Sequence, residues 1–340
     1  MLRKLTLSTI TFVFLLFAAP AWACGGLVAP NGTINLVRTT TLAAYHDGVE
    51  HYVTSFEFAG GGGEFGSIVP LPGVPTNVER GGDWTLQRLV REVTPPVRTG
   101  LQAGAAATAD FAQVIAEYEI DALDITVLKG GGFEVGQWAE DHGFNLPPDA
   151  PEVLDFYASR SPIFMAARFD ADEAQRLGQN VGDGTPIHLT IPTPNPWVPL
   201  RILALGRQPG EAVQADVFLL TDREPALLPA AGTRGFTLER SVAAADELLF
   251  DLRSDQGMEW MPARGMWLSH LVIDTTASEL TYDLAIDASG AGQPSPRMAG
   301  LPVSARVVPP PSAAWFVLGG GLLAAAFALT VIGTRRIIPA

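Results

Sequence analysis

The densest group of side chains able to do chemistry is His46, Asp47, Glu50 and His51, four potential metal ligands within six residues. Imidazole nitrogens and carboxylate oxygens suit zinc and related ions, but a zinc site needs three or four ligands converging from defined spacings. His46 and His51 lie five apart across a His-Asp-Gly turn, with no second ligand pair nearby. They are the candidate metal residues, and the local sequence otherwise predicts a solvated hairpin tip. No bound metal or cofactor is expected.

The remaining chemistry is scattered. His142, His188 and His270 stand alone in the sequence and read as surface or capping residues. Gly61, Gly63 and Gly66 spell Gly-x-Gly-x-x-Gly, but an apolar run ending in prolines follows where a nucleotide fingerprint would open a helix. Gly130-Gly131-Gly132 does not complete that pattern. Asp170, Asp172 and Glu173 suggest calcium, yet Ala174 takes the next ligand position and no glycine falls at the sixth, so helix capping explains them. No Gly-x-Ser-x-Gly occurs, and the only cysteine, Cys24, lies near the N-terminus. No catalytic residue is assigned. Arg201 sits among apolar residues and is expected within a strand, paired with a carboxylate; the other reading is an anion-binding group in a groove.

These residues are set among strand-like runs. Residues 33–45 and 49–58 read as a long hairpin, the second arm alternating between its faces as a half-buried strand does. Further strands are expected at 65–71, 111–119, 121–128, 163–169, 186–192, 198–205, 213–220, 267–273 and 280–286. Helices are expected at 84–92, capped by Asp83, near 134–142 and 151–159, and at 241–250. The helices cluster rather than alternate with strands, so the fold class is α+β: a strand-rich domain with short inserted helices.

The two ends set the topology. Arg3 and Lys4 precede a mostly apolar run to Ala19, and Ala21-Trp22-Ala23 supplies small residues at −3 and −1 before Cys24. This is a secretory signal pattern over residues 1–23. Cys24 would be the residue lipidated if the signal were of the lipoprotein type. Residues 313–332 carry no charge, enough at ~1.5 Å per residue to cross ~30 Å of hydrocarbon. Pro309-Pro310-Pro311 precedes them within a linker at 309–312, and Arg335 and Arg336 follow in a tail at 333–340. Basic residues favour the cytoplasmic side, so a single C-terminal transmembrane helix is expected, N-terminus outside and C-terminus inside. The same lead, run and tail also resemble a C-terminal processing signal, which would leave a secreted or surface-anchored product.

All 36 acidic residues lie in the intervening extracytoplasmic region, 24–308. Four of the 22 basic residues, Arg3, Lys4, Arg335 and Arg336, lie outside it, leaving a net charge of −18 there. Such a charge supports solubility and disfavours nucleic acid as a partner. The expected partners are the lipid bilayer, through the C-terminal helix, and other envelope proteins.

Several stretches, in order, carry a resemblance. They are Ala23-Cys24-Gly25-Gly26; Ile68-Val69-Pro70-Leu71-Pro72-Gly73-Val74-Pro75; Thr94-Pro95-Pro96; Val127-Leu128 with Trp138, Gly143-Phe144, Leu146-Pro147, Phe156-Tyr157 and Phe164; and Val198-Pro199-Leu200-Arg201-Ile202. Over about residues 22–220 the chain resembles the bacterial family called domain of unknown function 2330. The resemblance implies export and frequent membrane association, and carries no activity or site residue. The expected function is a non-enzymatic binding or scaffolding domain on the outer face of the cytoplasmic membrane. The alternative is a hydrolase assembled from scattered carboxylates and His142, His188 or His270.

Overall fold

A computed structural model describes residues 27–28, 35–59, 65–93, 113–170, 173, 176–178 and 185–302. The signal-like segment, Cys24, the Gly60–Gly63 run and the apolar residues 313–332 lie outside them. No helix among the described residues is long and apolar enough to cross a membrane.

In chain order the strands and helices are β1 (Leu27–Val28), β2 (Asn35–His46), β3 (Val49–Ala59), β4 (Phe65–Leu71), β5 (Asn77–Arg80), α1 (Thr85–Val93), β6 (Gln113–Ile120), β7 (Leu123–Lys129), α2 (Gly132–Asp141), α3 (Ala150–Ala158) and β8 (Ile163–Phe169). They continue with β9 (Ile187–Pro192), β10 (Trp197–Val198), a 3₁₀ helix (Arg201–Ala204), β11 (Ala212–Thr221), β12 (Ala226–Leu228), β13 (Phe236–Ala243), α4 (Asp246–Arg253), β14 (Trp267–Thr276) and β15 (Leu284–Asp287). This is the strand-rich α+β architecture the sequence predicts.

Seven strands form the largest sheet, in the order β13-β14-β11-β2-β3-β9-β5; five form a second, β1-β4-β8-β7-β6; three short ones form β10-β15-β12. Among the described residues all pairings are antiparallel except β11 with β2. The β2–β3 hairpin turns at Asp47-Gly48, both at positive φ (48° and 81°), as tight hairpin turns require.

The largest sheet is covered on both faces. Ala43, Tyr52, Leu189, Val217 and Ile273 face the main core, which also receives the five-stranded sheet and the inner faces of α2 and α3. Leu42, Ala44, Val53, Phe218, Leu220 and Leu268 face a second core, closed by Leu86 and Leu89 of α1, Leu248, Leu249 and Leu252 of α4, and Met258, Met261 and Met266. The half-buried strand expected at β3 is therefore buried on both sides from Glu50 to Thr54. α1 and α4 supply the cover that alternation alone cannot reveal.

Four local expectations change, one of them simply in length: the strand expected at 280–286 begins only at Leu284. The strand expected at 198–205 is a two-residue strand followed by the 3₁₀ helix, because backbone N–H groups there bond to side chains instead of a neighbouring strand. Leu200 and Arg201 N–H donate to Asp283 Oδ1 at 2.8 and 2.9 Å, and Ile202 N–H donates to the Tyr157 hydroxyl at 2.8 Å. The helix expected at 241–250 begins at Asp246, since Ser241, Val242 and Ala243 pair with Ser269, Leu268 and Trp267 at the sheet edge. α1 is capped not by Asp83, which pairs with Arg80, but by Asp255 from a distant loop. Asp255 Oδ2 accepts from Trp84 N at 3.1 Å and Thr85 Oγ1 at 2.7 Å. Gly82 makes this approach possible, for a Cβ there would fall 2.1 Å from Asp255 Oδ2.

Candidate functional site

β3, β9 and β5 lie side by side and place Glu79 opposite His188, with His51 one diagonal step further. Glu79 Oε1 accepts from His188 Nδ1 at 3.1 Å. That bond leaves His188 Nε2 as the acceptor for His51 Nδ1–H, 3.0 Å away. The indole of Trp260 stacks on His51, ring centroids 3.5 Å apart. Burial lowers the His51 pKa to about 3, with His188 and His46 adding to the effect. Burial also lowers His188, against the pull of Glu79. Both rings are neutral at neutral pH, in tautomers fixed by one carboxylate.

A carboxylate–imidazole–imidazole chain can orient a base. Here its bonds run inward, to its own members, and Trp260 covers its end. Neither of the two described cavities is lined by any of the three residues.

The metal candidates separate. His51 is 8% exposed and committed to His188, and Glu50 is fully buried on the opposite face of β3. The solvated tip expected across His46–His51 is thus confined to His46, Asp47 and Gly48. His46 Nδ1 lies 2.7 Å from Asp222 Oδ1, and its Nε2 lies 3.4 Å from Asp47 Oδ2. These three residues bring ligand atoms within 4.8 Å of one another, with both carboxylates exposed. Exposed acidic groups adopt such an arrangement around one imidazole without an ion, and no metal is assigned.

The three histidines that stand alone in the sequence are each engaged. His188 belongs to the relay. His270 Nε2 lies 2.9 Å from Asp216 Oδ1 and stacks on Phe218. His142 Nδ1 donates to the Trp138 carbonyl at 2.5 Å and stacks on the same indole.

A second buried set surrounds Asp283. Its Oδ1 accepts from the Tyr157 hydroxyl at 2.8 Å and from the two backbone N–H groups that start the 3₁₀ helix, while Oδ2 accepts from Arg160 Nη2 at 2.7 Å. Burial raises the Asp283 pKa and the Arg160 guanidinium opposes the rise. This hub ties α3, the 3₁₀ helix and the start of β15 together. It also fixes the surface beside it.

That surface is a cleft of about 190 Å³ lined by Asp149, Glu152 and Val153 at the start of α3, by Arg201, Ala204, Arg207 and Pro209, and by Ala277, Ser278, Leu280 and Thr281 after β14. Arg201 Nη2 reaches Glu152 Oε1 at 2.5 Å, and its guanidinium lies over the Phe156 ring, 4.1 Å from the centroid. Arg201 is therefore paired with a carboxylate, as the first of its two sequence readings has it, and it also borders a groove. Its place is the 3₁₀ helix rather than a strand. Arg207 Nη1 donates to the Ala212 carbonyl at 2.7 Å and to Glu211 at 3.2 Å. Both Asp149 oxygens lie 3.1 Å from Gly206 N. The other described cavity, about 20 Å³ between the two larger sheets, is lined by Thr39, Thr41, Tyr52, Thr54 and Ser67 with apolar neighbours, room for about one water.

A family model described as an uncharacterized protein conserved in bacteria (DUF2330) matches residues 18–226. The chain belongs to the DUF2330 family. The match contains the Glu79–His188–His51 relay and the Arg201 side of the cleft, and stops before Trp260, Ala277–Thr281 and Asp283. No curated protein matches this DUF2330 chain. The crystal structure of baculovirus P35 superposes with a TM-score of 0.40 and 10% identity, covering 75% of this chain and 97% of that one. A likeness that distant carries no argument.

Proposed function

We propose that the chain is a non-enzymatic, extracytoplasmic binding domain held on the outer face of the cytoplasmic membrane by residues 313–332, with its ligand seated in the Arg201 cleft. The signal-like N-terminus, the uncharged 20-residue run before Arg335-Arg336 and the acidic region between them support the topology.

One observation carries the binding reading. The buried histidines His51, His142, His188 and His270 are bonded to groups of the interior, whereas the open cleft presents charges already fixed by neighbours. Preformed, oriented polar groups on a concave surface are what a ligand site requires. Hydrolysis would need a nucleophile or an activated water beside one of the histidines. The bonds of His51 and His188 run to each other and to Glu79.

Two measurements test this. Protease added to spheroplasts should digest nearly the whole chain; full protection would refute the orientation. A solute screen by thermal shift on the full chain in detergent should find a stabilising compound, and Ser278→Trp, which fills the cleft from an exposed position, should abolish the shift. A shift that survives Ser278→Trp would place the ligand elsewhere.

A further inference from the structure

We infer that the cleft takes a small zwitterion: a free α-amino acid or a dipeptide, with its carboxylate on Arg201 and its ammonium among Asp149 and Glu152. This rests on the binding reading above and names the ligand class for the same site.

The charge pattern decides against the simpler classes. Two guanidinium and two carboxylate groups line one cleft; Glu211 takes up Arg207, which leaves Arg201 as the cation a ligand can reach, beside Glu152 and Asp149. A simple anion entering it meets Asp149 and Glu152 as well as the arginines, and a simple cation meets Arg201 and Arg207. A molecule with one charge of each sign can answer both members of the Arg201–Glu152 pair, with Asp149 beside it, and mismatched charge is what polar sites reject most strongly.

The groups are also held in place. Arg201 is fixed between Glu152 and the Phe156 ring, and its backbone N–H is clamped by buried Asp283. The Arg207 side chain is 4% exposed and tied to the Ala212 carbonyl. Asp149 is held by the Gly206 N–H. Little ordering remains to be done when a ligand binds, which favours a small one.

Size and the remaining wall agree. About 190 Å³ is below the range that houses drug-sized ligands, ~300 Å³ and up. Val153, Ala204, Pro209, Ala277 and Leu280 supply an apolar side for an aliphatic substituent, and the exposed Ser278 and Thr281 rim it.

The test is calorimetric titration of the full-length chain in detergent with leucine, alanyl-alanine, N-acetyl-leucine and leucinamide. At least one of the two zwitterions should bind, and both single-charge derivatives should bind at least tenfold more weakly; which zwitterion is tighter separates the amino acid from the dipeptide. Arg201→Met should weaken the zwitterion at least tenfold. Ser278→Trp, which keeps every charge, should do the same, so the result does not hang on the folding of the arginine variant. Equal affinity for N-acetyl-leucine, or for leucinamide, would overturn the zwitterion assignment while leaving a binding domain. So would failure of both zwitterions if another solute shifts the melting temperature and Ser278→Trp abolishes that shift. If no solute binds at all, the assignment and the binding reading fall together.

Discussion

Replacing Glu50 by glutamine should remove a steep fall in stability as pH rises through neutrality. Glu50 is fully buried on the core face of β3. Its Oε2 accepts one hydrogen bond, from Trp197 N at 3.3 Å, and Oε1 has no partner among the described residues. Burial pushes its pKa from 4.5 up to about 8, with the Trp197 N–H the opposing influence. In the folded chain the group holds its proton across neutral pH; in the unfolded chain it releases it near pH 4.5. Between those values the folded state binds more protons, so stability falls as pH rises, by about 1.4 kcal/mol per pH unit. Glu50→Gln removes that slope and keeps an oxygen for the Trp197 N–H. From pH 5 to pH 9 the variant should gain about 4 kcal/mol relative to the parent, close to 8 °C in Tm at about 2 °C per kcal/mol for a domain this large. Thermal unfolding of both proteins across that range gives the difference directly, and other titrating groups cancel in it. Parallel pH profiles would refute a neutral, buried Glu50.

Three further expectations follow from buried contacts. Asp283→Asn should destabilise by about 3–5 kcal/mol in denaturant unfolding, because Arg160 is left as an uncompensated buried charge. A loss below 1 kcal/mol would mean that the Asp283 hub does not hold α3 to the 3₁₀ helix. Asp255→Ala should lower stability by about 2 kcal/mol through the lost cap of α1, and Gly82→Ala should act on the same contact by displacing Asp255; a neutral Gly82→Ala would contradict that close approach. His51 is kept neutral in the folded chain, so its contribution is present above the unfolded pKa near 6.5 and is lost as pH falls toward 3. His51→Gln should flatten the acid limb of the stability profile between pH 6 and pH 4, and an unchanged limb would show that His51 protonates freely in the folded state.

What the sequence discloses is governed by how far apart the partners lie. The β2–β3 hairpin, β8 and β11 carry their pattern locally, and their expected bounds fall within two residues or so of the strands found. The 3₁₀ helix does not, for residues 198–205 are an apolar run whose fate depends on Tyr157 and Asp283, more than 40 and 80 residues away. The relay shows the same thing at the level of chemistry. His188 looks isolated because its partners, His51 and Glu79, are 137 and 109 residues distant. One signal was available: Asp283 interrupts an apolar run, Leu280 to Ile286, and a carboxylate in such a run is either exposed or paired. Glu50 in the hairpin is the opposite case. Its neighbours His46 and Asp47 predict a wet tip, yet the strand pleat turns it into the core one residue away from His51 on the other face.

The distribution of charge links this interior to the proposed ligand. The region between the two apolar ends carries a net charge of −18, and its long-range field disfavours anions at the surface. Beyond about 8–10 Å that field is screened at physiological salt, so recognition is decided by the groups lining the cleft itself. There Arg201 stands beside Glu152 and Asp149, with Arg207 taken up by Glu211, and the Asp283 hub fixes the 3₁₀ helix that carries Arg201. A zwitterion has no net charge for the outer field to repel, and one charge for each member of the Arg201–Glu152 pair. Raising the ionic strength should therefore change its on-rate little, whereas an anionic ligand drawn in by Arg201 and Arg207 alone would bind faster as salt masks the acidic surface. Stopped-flow association at 20 and 200 mM salt distinguishes the two, and a marked rise in rate with salt would count against the zwitterion.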